Sequence, residues 1–167
     1  MIEPERTIAA QATAAGQGAI AVIRMSGPGC MAVLKQCTPA AFTERLQPRR
    51  ATLARIQDAE GVAIDQALVT WFPAPASYTG EDTVEVSCHG GMLVTDRLLK
   101  RLYRCGAFPA EPGEFTKRAF LNGRMDLTQA EAVMDVISAG SDLALKAAQS
   151  QLDGGIGSQV AVSYTHL

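Results

Sequence analysis

Apolar and polar residues alternate most regularly in TVEVSCH, residues 83–89. Val84, Val86 and Cys88 fall on one face of an extended chain, while Glu85 and the other polar residues between them fall on the opposite face. A period of two with one apolar face is typical of a strand that packs on the core with one side only. The pattern therefore predicts a half-buried β-strand with a carboxylate in its middle.

The apolar period changes to that of a helix directly after this strand. Two glycines end the strand, and the segment MLVTDRLLKRLYRCG then places Val94, Leu98 and Leu102 on one stripe of a helix. Cationic residues gather near its end, where the helix dipole favours them, and Gly106 is a typical helix stop. We predict an amphipathic helix here.

Earlier segments predict further strands. Residues 6–24 fit two strands around a glycine-containing loop, and residues 50–57 and 62–72 fit two more. The mixed order of strands and helices predicts an α+β or α/β domain over residues 1–121.

A short helix is predicted within this domain by the segment SGPGCMAVLKQC. Ser26 or Gly27 is its expected cap, and Pro28 is expected in the first turn, where its missing N–H costs little. Because Pro39 follows, we expect the helix to end near Cys37.

Strand preference almost disappears in the C-terminal part, residues 122–160. Apolar residues recur there at helical spacing behind Asp126, which with Gln129 matches a capping box. We expect one long helix that begins at about residue 127, is interrupted or kinked near Gly140 and Ser141, and runs to Leu152.

The apolar stripe of that helix needs a partner, and the rest of the chain offers little to cover it. We interpret residues 122–160 as the first helices of a truncated helical domain, with contact to a second copy as the other interpretation. Residues 161–167 are interpreted as a tail, for which a non-native origin is one explanation.

Composition narrows the functional classes. The 167 residues are 47% apolar and carry a formal net charge of −2, so no strong overall field draws the chain to a nucleic-acid backbone. The four cysteines show no CxxC spacing, the N-terminus lacks the apolar core of a secretory signal, and no apolar run reaches the roughly 20 residues that cross a bilayer. We predict a reduced, cytoplasmic protein without a disulfide framework and without membrane contact.

Two nucleotide-binding patterns fail on their own structural requirements. GQGAIA, residues 16–21, matches the dinucleotide pattern G-x-G-x-x-A, but those glycines must open a helix and here a strand is predicted to follow. The phosphate-binding loop G-x-x-x-x-G-K-[ST] ends in Lys followed by Ser or Thr, and no lysine of this chain has that neighbour. The sequence therefore contains no nucleotide-hydrolysing loop of this type.

The polar residues of the alternating strand do not form a metal or nucleophile pattern. Cys88 and His89 point to opposite faces, so they cannot both bind one zinc ion, and we expect Cys88 to be a small core residue. Ser87 and His89 share a face but lie about 6.6 Å apart at Cα, and no carboxylate is evident that would orient the histidine. Glu85 is either solvated on an open face or paired with donor groups of a ligand.

Three long blocks are spread over residues 7–139, and the last two are highly specific: TIAAQATAAGQGAIAVIRMSG, WFPAPASYTGEDTVEVSCHGG and PGEFTKRAFLNGRMDLTQAEAVMDVISA. Together they resemble the N-terminal region of the MnmE/TrmE family of tRNA modification GTPases. The resemblance implies an α+β fold with a mixed sheet and flanking helices, like the tetrahydrofolate-binding domains of one-carbon enzymes. It also implies a homodimer through this domain, followed by a helical domain into which a GTPase domain is inserted.

The resemblance implies a folate site at three positions. The folate-contacting residues of the family match Arg24, Glu85 and Arg124, the last at a position where lysine is common. A pterin ring carries an amino group beside a ring N–H, and these parallel donors fit the two oxygens of a carboxylate such as Glu85. The arginines suit the anionic tail or the carbonyl groups of the ligand. The implied cofactor is 5-formyltetrahydrofolate or a related tetrahydrofolate.

The resemblance further implies a part in the modification of the wobble uridine of certain tRNAs, together with a flavin-dependent partner protein. GTP, Mg²⁺ and K⁺ would belong to the GTPase domain, which this chain lacks, so we do not expect the chain to be catalytic alone. The alternative is a structural dimerisation and docking module that binds no ligand and uses its polar strand face to contact a second subunit.

Overall fold

The computed structural model describes residues 6–154. The chain divides into two compact units, one up to Phe115 and one from Thr116 onward. The domain limits at residues 121 and 160 stay predictions, and the tail at 161–167 lies outside the described residues.

A mixed sheet forms the centre of the first unit. Its strands are β1 (Ile8–Gln11), β2 (Ile20–Ser26), β3 (Thr52–Gln57), β4 (Ala63–Phe72), β5 (Thr83–His89) and β6 (Phe108–Pro109). They lie in the order β3-β4-β5-β2-β1-β6, and neighbouring strands are antiparallel except for β1 and β6. Together with the helices described next, this sheet confirms the predicted α+β fold.

Two helices cover one face of this sheet. They are α1 (Cys30–Cys37) and α2 (Met92–Arg104), and a short 3-10 helix at Thr43–Arg45 follows α1. The alternation predicted for β5 is confirmed, because Val84, Val86 and Cys88 are buried against these helices. Leu98 and Leu102, from the apolar stripe of α2, belong to the same buried cluster as these strand residues, and both are almost fully buried.

The opposite face of the sheet is open and partly apolar. Leu53 lies opposite Leu68 on the neighbouring strand, and their exposed fractions are 63% and 46%. Leu68 in turn lies opposite Ser87 of β5. Since alternate residues of a strand share a face, Glu85 lies on this open side as well. We call it the open face.

The predicted start of α1 is wrong by two or three residues. The helix begins at Cys30 behind Gly29, so Pro28 precedes the helix instead of occupying its first turn. Gly27 has a φ of +134°, which no helix contains, and Ser26 is the last residue of β2. The predicted end at Cys37 is confirmed.

The prediction for the C-terminal part is confirmed in its start at Leu127, its interruption near Gly140 and Ser141 and its end at Leu152, but the interruption is complete and separates two helices. After α3 (Glu114–Leu121), the chain forms two separate helices, α4 (Leu127–Ser138) and α5 (Asp142–Leu152). Ser141 is extended, and its side chain accepts a hydrogen bond from the Ala144 N–H, so a new helix begins there. Gln129 Nε2 donates to the Leu152 carbonyl at 2.8 Å, which joins the start of α4 to the end of α5 in an antiparallel hairpin.

The predicted capping box at the start of α4 is confirmed, with Asp126 and Gln129 each bonded to the backbone of the other. The hairpin leaves large apolar side chains in solvent: Leu127, Met134, Ile137 and Leu143. None of the helices within residues 6–154 combines the length and the apolar character needed to cross a bilayer.

Candidate ligand-binding site

Glu85 pairs with an arginine on the adjacent strand. The register of β2 and β5 sets Arg24 directly opposite Glu85. Arg24 Nε donates to Glu85 Oε1 at 3.0 Å, and Nη2 lies 2.9 Å from the same oxygen. Both side chains are about one quarter exposed (23% and 28%). No donor among residues 6–154 reaches Glu85 Oε2, so this oxygen can accept hydrogen bonds from a ligand.

Two aromatic rings flank the guanidinium of Arg24. Its Cζ lies 5.0 Å from the ring centroid of Tyr78 and 5.5 Å from that of Phe115. Both distances are within the range of cation–π attraction. The sequence pattern missed these rings, because a single aromatic residue in a loop or at a helix start adds nothing to a period. Their only signal is their position inside the two most specific sequence blocks.

A network of hydroxyl groups fixes the loop that carries Tyr78. Ser26 Oγ donates to Glu81 Oε2 at 2.6 Å and lies 2.7 Å from Thr79 Oγ1. A hydroxyl has one proton, so Thr79 is the donor in the second bond. Ser26 and Thr79 have no exposed surface. The network therefore ties the residue next to Tyr78 to the strand that carries Arg24.

A carboxylate orients His89, contrary to the prediction. Asp65 Oδ1 lies 2.7 Å from His89 Nδ1, and Asp65 Oδ2 accepts the His89 backbone N–H at 2.8 Å. A carboxylate only accepts, so His89 carries a proton on Nδ1. Asp65 comes from β4, beside an irregularity in the register of β3 and β4, and the spacing within β5 could not indicate it. No hydrogen bond joins Ser87 to His89 among residues 6–154, so the pair lacks the geometry of an activated nucleophile.

Cys88 is buried, as predicted for a core residue, and burial raises the pKa of its thiol. Two other buried cysteines lie close together at the ends of α1 and α2, where the sulfur atoms of Cys37 and Cys105 are 3.5 Å apart. Burial raises the pKa of Cys37 to about 12, and the neighbouring Cys105 adds to the rise.

Within residues 6–154 no cluster of three or more His, Cys, Asp or Glu side chains has the arrangement of a metal site.

The Cys37 thiol should make stability depend on alkaline pH. The folded protein keeps this proton up to a pKa of about 12, whereas the ordinary value is 9.0. The stabilisation is fully present below pH 9 and is lost as the pH rises through this interval. We expect the free energy of unfolding, measured with urea between about pH 8 and pH 10 (about one unit either side of the ordinary thiol value), to fall less steeply in Cys37→Ala. Equal slopes would contradict this prediction.

A groove of about 440 Å³ lies between α2 and the β3–β4 turn, away from the Arg24–Glu85 pair. Its lining includes Asp58, Glu60, Arg97 and Arg104. Charges of both signs line it, so it favours no single class of ligand.

The structure brings two of the three sequence-predicted site residues together. Arg24 and Glu85 form a direct ion pair in the first unit. Arg124 belongs to the second unit, where it is exposed and its backbone N–H donates to the Ala119 carbonyl at 2.8 Å. Its part in a common site stays a prediction.

Several curated proteins that share one name are similar to most of this chain. A protein of Akkermansia muciniphila is 91% identical over 160 residues, which cover 96% of this chain and 36% of the relative. A protein of Alkalilimnicola ehrlichii is 54% identical over 155 residues, covering 92% of this chain and 34% of the relative. A protein of Opitutus terrae is 49% identical over 156 residues, covering 93% and 34%. All three are named tRNA modification GTPase MnmE.

The chain spans about a third of the length of these relatives. The family model described as "GTP-binding protein TrmE N-terminus" matches residues 7–124, which contain the whole sheet and all three predicted site residues. The chain therefore belongs to the TrmE N-terminal family and corresponds to the N-terminal domain of tRNA modification GTPases of the MnmE type.

Proposed function

We propose that the first unit binds a reduced folate of the 5-formyltetrahydrofolate type through Glu85. The observation that carries the proposal is that only one carboxylate oxygen of Glu85 has a protein partner. Arg24 contacts Oε1, whereas no donor from residues 6–154 reaches Oε2 on the open face. The amino group and the adjacent ring N–H of a pterin are two parallel donors of the kind that an ionised carboxylate binds strongly.

The residues around Glu85 fit such a ligand. Arg24 places a positive charge next to the carboxylate, 2.9 Å from Oε1. The rings of Tyr78 and Phe115 lie within cation–π distance of the Arg24 guanidinium. Arg124 is proposed to reach the anionic tail or a carbonyl group of the ligand. When bound, the folate would supply a one-carbon unit, while the chain binds and orients it.

Calorimetric titration of the 167-residue chain with 5-formyltetrahydrofolate tests this proposal. We expect micromolar binding and a rise in melting temperature, because a ligand at a hundred times its Kd stabilises the native state by about 2.7 kcal/mol. NAD should give neither effect, since the glycines of GQGAIA precede β2 and do not open a helix. Absence of folate binding would overturn the proposal.

The wider role is proposed from the family. As the N-terminal part of a tRNA modification GTPase, the chain would present the one-carbon donor for wobble-uridine modification, in the cytoplasm and with a flavin-dependent partner protein and tRNA. GTP, Mg²⁺ and K⁺ would act in a GTPase domain, because this chain has no phosphate-binding loop.

We also propose that the chain forms a homodimer through the open face. Leu53 and Leu68 form an exposed apolar pair beside the strand that carries Glu85, and exposed pairs of this kind favour an interface. The same observation supports the alternative of a docking module that binds no ligand. The folate titration separates the two functions.

Leu68→Arg should convert the dimer to a monomer, because a charge would be buried without a partner at the interface. Light scattering at several protein concentrations measures the change. Leu143→Arg on α5 is the matched control, since Leu143 is 80% exposed on the helical hairpin. A dimer that survives Leu68→Arg but separates with Leu143→Arg would move the interface to the hairpin.

A further inference from the structure

We propose that Tyr78 and Phe115 are positioning residues, which hold Arg24 so that it occupies one oxygen of Glu85 and leaves the other for the ligand. The inference rests on the proposed folate function and deepens it. Neither ring belongs to the cluster of buried residues between the sheet and its helices.

The contact between Arg24 and Glu85 uses only one oxygen of the carboxylate. Two guanidinium nitrogens, Nε and Nη2, both approach Oε1, at 3.0 and 2.9 Å. Arginine and carboxylate commonly form two parallel bonds, one to each oxygen. That arrangement would occupy Oε2 and compete with the donors of a ligand. The observed geometry keeps Oε2 available.

The aromatic rings explain how this geometry is held. The guanidinium lies 5.0 Å from the Tyr78 ring and 5.5 Å from the Phe115 ring, so it has attractive contacts beyond the carboxylate. A guanidinium free to rotate could reach both oxygens of Glu85 or leave the pair for solvent. Held against the rings, it loses that freedom before a ligand arrives, and a preorganised site loses less entropy on binding.

The Tyr78 ring is itself held from β2. Thr79, the next residue, is fully buried and hydrogen-bonded to Ser26, which lies two residues beyond Arg24 on the same strand. The preceding residue, Ser77, is 5% exposed and donates to the Glu81 carbonyl. The loop is therefore anchored on both sides of Tyr78. One strand supplies the guanidinium and also the anchor of the ring that holds it.

The test compares folate affinities by calorimetry for variants of the full chain. Tyr78→Leu should weaken binding of 5-formyltetrahydrofolate about tenfold, whereas Tyr78→Phe, which keeps the ring, should bind within about twofold of the original chain. In an Arg24→Ala background, Tyr78→Leu should cause no further loss, because the ring acts through the arginine. Phe115→Leu gives the same comparison if Tyr78→Leu does not fold, as judged by circular dichroism.

Each outcome is decisive. If Tyr78→Leu weakens binding equally with and without Arg24, the ring contacts the ligand directly and the positioning role is overturned. If Tyr78→Leu and Phe115→Leu both bind normally, the role is overturned as well. If the original chain binds no folate, the proposed function fails and this inference fails with it. Binding that depends on Glu85 but not on the rings would remove this inference alone.

Discussion

Replacing Gly90 by alanine should lower the free energy of unfolding by about 3 kcal/mol, the upper end of the cost of overfilling a packed site. A Cβ added at Gly90 would lie 2.4 Å from the Gly18 carbonyl oxygen and 2.7 Å from its carbon. The two segments cannot separate easily, because Gly18 N–H donates to the Gly90 carbonyl at 3.0 Å and Gly90 N–H donates to the Ala19 carbonyl at 3.1 Å. Relief of the clash would break these bonds between the start of β2 and the end of β5.

The adjacent glycine provides the matched control. A Cβ at Gly91 would meet only the Val94 Cγ2 at 3.9 Å, an ordinary contact, and its φ of −74° suits any residue. Gly91→Ala should therefore cost less than about 1 kcal/mol, mostly through the poorer helix cap. Urea denaturation of both variants measures the difference. Equal losses would show that the close approach at Gly90 does not limit stability.

The sequence predicted well those strands and helices that bury a single face, because burial of one face sets the spacing of their apolar residues. β5 and α2 are examples, since each packs one set of side chains on the same core and alternation or helical spacing follows directly. The fold class followed from the order of such elements. The start of α1 was missed because Ser26 is bonded to Glu81 as part of β2 and Gly27 takes a positive φ after that strand. The preference of serine and glycine for helix caps does not reveal these other roles.

The C-terminal hairpin shows a different limit. Apolar residues recur at helical spacing on both sides of residues 139–141, so the pattern predicted one long helix with an interruption or kink near Gly140 and Ser141. The chain turns back because Ser141 adopts an extended conformation and caps a new helix. The energy of that turn comes from packing α4 on α5, which is a contact between distant residues and is absent from local spacing.

The candidate site was predictable only in part for the same reason. Glu85 stood out because it interrupts a valine-rich strand, and the family resemblance indicated Arg24. The direct pairing of these two depends on the register of β2 and β5, which are about 60 residues apart in sequence. Asp65 beside His89 and Tyr78 beside Arg24 are likewise contacts between separate segments.

Glu85→Gln should weaken binding of 5-formyltetrahydrofolate by roughly 10- to 100-fold, which is the cost of replacing a charge-assisted hydrogen bond by a neutral one. Glutamine keeps the shape of the side chain, but its amide presents one acceptor and one donor. The amide NH₂ would face either Arg24 or the N–H groups of a pterin, and both are donors. The variant should still fold, because the side chain is 28% exposed and the strand is fixed by its buried valines.

Calorimetric titration separates this loss from a general effect of charge. Glu60→Gln removes the same charge from the exposed β3–β4 turn and should bind folate like the original chain. Glu85→Asp keeps the charge but withdraws it by one methylene, so an intermediate loss is expected if contact distance matters. Folate affinity that is unchanged in Glu85→Gln would contradict the role of this carboxylate. Among residues 6–154, Glu85 is the only carboxylate that contacts Arg24. An unchanged affinity would therefore place the folate site away from the Arg24–Glu85 pair.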